Sequence, residues 1–138
     1  MSRSILRALI LAVAAVTAAG CDNTIDNPIT PTTPVTVTDT FSNSLTKNGA
    51  VIHTFTVATA GSVIATLTSL SDTTMTVGLD LGAFNGLTCS AQLTNAAVSQ
   101  GISVTGLVSG VGSLCVRVYD AGGKLTGQID YTVTVTHP

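Results

Sequence analysis

A chain of 138 residues in which 45% of the side chains are apolar and only 9% charged holds one domain. The formal charge is −2, with no cluster of Lys and Arg, which argues against a nucleic-acid partner. Glutamate is absent and Thr, Ser, Val and Gly dominate, a composition that favours strands and turns over helices.

Residues 1–20 come first. Arg3 and Arg7 supply a positive start, Ala8 to Val16 is an unbroken apolar run, and small residues lead from Thr17 to Cys21. This is the layout of a secretory signal peptide with a helical apolar part. A bilayer-spanning helix needs about twenty apolar residues, and this run is too short. One reading is an ordinary cleavage at or near Cys21. The other is that Thr17-Ala-Ala-Gly-Cys21 resembles a bacterial lipobox. That resemblance implies cleavage between Gly20 and Cys21 and acylation of the Cys21 thiol. The mature chain would then sit on a membrane through its N-terminal lipid, facing the periplasm or the outside of a bacterial cell envelope. Several acyl chains hold a protein stably where one does not. Loss of residues 1–20 would leave three basic side chains against seven Asp, a balance of −4.

Residues 21–34 hold three of the four prolines, Pro28, Pro31 and Pro34. Proline removes backbone donors and favours extended chain, so the stretch reads as a semi-extended tether. An irregular first strand is the alternative.

Residues 35–138 alternate with period two, the mark of half-buried strands. Strands are predicted at Thr36 to Leu45, Val51 to Val57, Ser62 to Leu70, Met75 to Leu81, Thr88 to Leu93, Gly101 to Leu107, Leu114 to Val118 and Ile129 to Val135. Parity puts Val51, His53, Phe55 and Val57 on one face. It turns Thr76, Gly78 and Asp80 outward, sets Cys115 and Arg117 opposite Leu114, Val116 and Val118, and sends Thr132 and Thr134 outward. Turn signals separate the strands at Asn48-Gly49, Gly61, Ser71-Asp72, Asn85-Gly86 and Gly122-Gly123. Seven to nine short strands at this spacing predict an all-β, antiparallel sandwich of jelly-roll type.

The succession FSNSL, HTFTV, GSVIATL, MTVGLDL, SLCVRVYD and YTVTV resembles the bacterial pre-peptidase C-terminal domain across roughly Thr36 to Thr136. His53 and Leu114 stand where that family favours aromatic residues. The resemblance implies a jelly-roll module of the kind attached to secreted proteases, with relatives that bind collagen and use calcium. It therefore suggests, as an alternative function, an accessory module that binds substrate, carbohydrate or calcium for secreted hydrolases.

Acylation of Cys21 would leave Cys89 and Cys115 as a pair, and export permits their oxidation. Because parity turns Cys115 away from the core, the bond is expected to join neighbouring strands. Two thiols without a His or Cys companion at zinc spacing make a poor metal site.

The sequence offers no catalytic set. His53 reads as a partly buried core histidine and His137 as a frayed penultimate residue. No Gly-x-Ser-x-Gly elbow occurs, and Ser109 to Cys115 reads as a turn. Asp72 and Asp120 are first of all turn formers, yet they are also the loop acids that a calcium ion would use. Tyr119 shares outward parity with Arg117 and is the best residue for stacking on a sugar. The function expected from these residues is non-catalytic: an envelope-anchored interaction or structural module for a protein or polysaccharide partner, with no required cofactor. Tyr119, Arg117, Asp72 and Asp120 are its possible ligand contacts.

Overall fold

The computed structural model describes residues 35–138. The expected signal peptide, Cys21 and the tether lie outside the described residues.

Eight strands form: β1 (Val37–Leu45), β2 (Ala50–Val57), β3 (Gly61–Leu70), β4 (Val77–Phe84), β5 (Cys89–Val98), β6 (Ser103–Val108), β7 (Gly112–Tyr119) and β8 (Ile129–His137). They make two four-stranded antiparallel sheets, ordered β1-β8-β3-β6 and β2-β7-β4-β5. This is the jelly-roll order of two Greek keys. Only β4 and β5 are joined within one sheet; every other connection crosses between sheets. The β4–β5 turn is built on Asn85, whose side-chain oxygen accepts hydrogen bonds from the Leu87 and Thr88 amides at 2.9 and 2.7 Å. Gly86 follows it at φ 94°, a left-handed conformation that suits glycine.

Alternation decides which face is buried. Val63, Ala65 and Leu67 of β3 and Tyr131, Val133 and Val135 of β8 meet Val77, Leu79, Val116 and Val118 of the second sheet. The outer face of the first sheet is made of hydroxyls instead. Ser42 bonds Thr132 at 2.9 Å and Thr66 bonds Ser103 at 2.7 Å across strands.

Cys89 and Cys115 form a disulfide with a Cα–Cα distance of 5.8 Å. It lies within the second sheet, not across the core. The expectation of neighbouring strands is corrected, however, because β4 lies between β5 and β7. The close approach has a local cause. A Cβ at Gly82, the β4 residue paired with Cys115, would run into the Ser90 backbone. Lacking one, Gly82 lets the start of β5 fold in over β4. The register of β5 slips beside it, between Leu81 and Gly82, leaving Gln92 as the extra residue.

Candidate functional site

The predicted contacts divide into two groups. Arg117 and Tyr119 come together on the outer face of the second sheet, while Asp72 and Asp120 sit in loops.

Arg117 is paired across the ladder with Asp80. Its Nε donates to Asp80 Oδ2 at 2.7 Å, and Nη2 contacts the same oxygen. Asp80 has the outward parity expected of it but is fully buried, which corrects the expectation of an exposed residue. The cover comes from β7. The Tyr119 ring lies over Gly78, where a side chain would collide with it, and the Arg117 guanidinium packs against that ring at 4.9 Å. Burial and then the Asp80 carboxylate push the Tyr119 phenol pKa up. Among the described residues, Asp80 Oδ1 has no hydrogen-bond partner. The cluster therefore spends Arg117 and Tyr119 on an internal charge, and the Tyr119 ring is not a free stacking platform.

Asp120 pins two loops. It accepts from the Asn48 amide at 2.9 Å and the Lys124 amide at 2.8 Å, with Leu125 at 3.3 Å. Its burial would raise the carboxyl pKa, but these backbone donors, with Lys47 nearby, outweigh it and lower the pKa. Asp72 accepts from Thr74 Oγ1 at 2.6 Å and from the Thr74 amide at 3.0 Å, a turn built on its own side chain. Among the described residues no group of three or more His, Cys, Asp or Glu could hold a metal ion.

The histidines are structural. His53 Nε2 lies 2.8 Å from the Tyr131 hydroxyl, and its ring stacks on Phe41 at 4.9 Å. Burial lowers its pKa from the ordinary 6.5 and pushes the Tyr131 phenol up to about 12. His137 is buried rather than frayed, which corrects the sequence expectation. It ends a strand whose neighbour β1 pairs Val37 with it. Its Nε2 lies 3.1 Å from Asp39 Oδ2, and Phe55 of the other sheet packs on its ring at 5.1 Å.

A pH dependence follows for His53. Below pH 6.5 the unfolded imidazole takes up a proton that the folded one resists, so stability falls as the pH drops through that point. Asp120 adds a separate loss once the pH falls below the ordinary carboxylate value of 3.8. Melting temperature measured from pH 7.5 down to 5 should therefore decline, and His53→Gln should flatten that decline.

One surface feature was not foreseen. An apolar cleft of about 500 Å³ opens between the edge strands β5 and β6, where the two sheets part. Val63, Leu81, Leu93, Leu107 and Leu114 line it, with Gln92 and Thr105 as its polar groups. Gly106 keeps it open. A Cβ there would meet Leu93 Cδ1 at 2.9 Å and Leu81 Cδ2 at 3.2 Å. Its size and lining suit one or two large apolar side chains.

The fold is that of a small β-sandwich. Among solved structures it is similar to PliG of Aeromonas hydrophila, a periplasmic lysozyme inhibitor of g-type lysozyme. The TM-score is 0.52, with 14% identity, over 71% of this chain and 83% of that one. At that identity the likeness is one of fold. No family model matches the chain, and no curated protein matches it.

Proposed function

We propose that the protein is an exported, non-catalytic binding module of a bacterial cell envelope, held to a membrane by lipid on Cys21. Its cleft between β5 and β6 receives an apolar segment of a protein partner. The cleft carries the reading. On a domain surfaced largely by Thr and Ser, Leu107 is 87% exposed at the rim of a preformed apolar opening. The lipobox-like Thr17 to Cys21 supports the anchor. PliG lends support because it is periplasmic and its target is another protein. Kinship with pre-peptidase C-terminal domains belongs to the same proposal, and the jelly-roll order agrees with it.

The test places a photo-crosslinking residue at position 93 or 107 of the full chain in native envelopes, with position 54 on β2, the opposite edge of the second sheet, as control. Purified g-type lysozyme is the first partner to try. A crosslinked protein specific to positions 93 and 107, lost on Gly106→Leu, supports the cleft. Equal labelling from position 54 counts against it. Mass spectrometry of the N-terminal peptide decides the anchor, since an unmodified Cys21 ends that part of the reading.

A second reading is the accessory carbohydrate module. A polar groove of about 330 Å³ between β1, β3 and β8 favours it, lined by Ser42, Ser44, Ser71, Asp130 and Thr132. It ranks second because its one aromatic, Tyr131, is buried and offers no face to a sugar.

A further inference from the structure

Strand pairing assigns the loops to two ends. Val37 pairs with His137, Val57 with Gly112, Gly61 with Val108 and Ala83 with Leu114. The start of the described chain and the β2–β3, β4–β5 and β6–β7 connections therefore share one end. The other end holds the β1–β2, β3–β4, β5–β6 and β7–β8 connections.

The two ends differ in chemistry. Lys47, Asp72, Asp120, Lys124 and Asp130 all stand at the far end. Among the described residues, the ionisable side chains at the end where the chain enters are Asp39 and His137, and these lie 3.1 Å apart, paired with each other. None of the three connections there carries a charged residue. Three points on it carry large apolar side chains instead: Val35 is 80% exposed, Leu87 in the β4–β5 turn 84% and Val111 in the β6–β7 turn 83%, while the β2–β3 connection is Ala58-Thr59-Ala60. Large side chains at loop tips, uncharged and unpacked, gain nothing from the fold that holds them out.

We infer that this end is a membrane-resting face, with Val35, Leu87 and Val111 entering the boundary between lipid headgroups and acyl chains. The inference rests on the acylation of Cys21 proposed above. Position 21 precedes position 35 by a stretch that, fully extended, reaches at most about 50 Å. A chain tied to the bilayer at one side of that stretch enters the domain at this end, so this end is the nearest to the anchor along the chain. Apolar side chains on connections without charged residues then find the setting in which interfacial anchors are stable, with the Asp39–His137 pair as the charge to desolvate. The cleft opens at the side of the domain, so a partner would be met close to the bilayer surface.

The chain has no tryptophan, so one introduced Trp reports its own surroundings. Leu87→Trp, Val111→Trp and, as far-end control, Lys124→Trp are made in the full lipidated chain. Each is placed on phosphatidylethanolamine–phosphatidylglycerol vesicles with and without brominated acyl chains. The expected result is blue-shifted emission at positions 87 and 111, lost severalfold to bromine, and unquenched, water-like emission at 124. Water-like emission at all three positions in an acylated, vesicle-bound chain overturns the membrane face and leaves the anchor standing. Blue-shifted emission at 87 and 111 that bromine does not quench places protein against the tips, a partner or a second copy, and also overturns it. An unmodified Cys21 removes the anchor and this inference together.

Discussion

Replacing both Cys89 and Cys115 by alanine is expected to cost about 3.5 kcal/mol, the chain-entropy value for a cross-link between residues 26 apart. That is a large share of the roughly 5–15 kcal/mol by which a domain is stable. On a domain of this size it corresponds to a fall in melting temperature of about 15–25 °C. The dependence is sharpened by the core, which draws on a chain with three Phe, two Tyr and no Trp. Urea unfolding of the wild type and the double variant measures the difference, and reduction of the wild type should reproduce it. A loss under about 1 kcal/mol would mean that the β4–β5 ladder alone fixes β5. The variant should also weaken the cleft, because the bond fixes the start of the strand that carries Gln92 and Leu93.

The second large effect concerns the buried charge. Arg117→Ala strands Asp80 and is expected to cost about 2–4 kcal/mol, somewhat less than for a wholly buried pair because Arg117 is 37% exposed. Removing both charges should behave differently. Asp80→Leu with Arg117→Met keeps the shapes, and a buried pair replaced by apolar residues is often neutral or stabilising. A double-mutant cycle in urea compares the single and double variants. If the double variant is as unstable as Arg117→Ala, the loss comes from packing against Tyr119 rather than from the stranded carboxylate.

Much of this architecture was legible because its cause is local. Val51 to Val57 and Ile129 to Val135 alternate cleanly, since one face of each is in the core and the other in water. The partner of Cys89 followed from counting cysteines. What was hidden depends on contacts between distant strands. Asp80 has outward parity, and nothing nearby in sequence shows that Tyr119 and Arg117 will roof it over. His137 looks loose until Val37 pairs with it and Phe55 covers its ring. Predicted β5 stopped at Leu93 but continues to Val98, because its register slips interrupt the alternation that would have revealed it. The cleft was out of reach for the same reason. Leu93 and Leu107 belong to different sheets, and only the sheet order shows that their edges face each other.

The slipped register of β5 has a consequence for how such a domain avoids self-association. β5 is an edge strand, and an exposed edge is a template on which a second chain can add itself. Its two irregularities against β4, one beside Gly82 and one between Val77 and Leu79, break the even spacing of amides and carbonyls that such a chain would need. The disulfide holds the first of these kinks in place. The geometry that brings two cysteines together thus also makes this margin of the sheet a poor seed for aggregation.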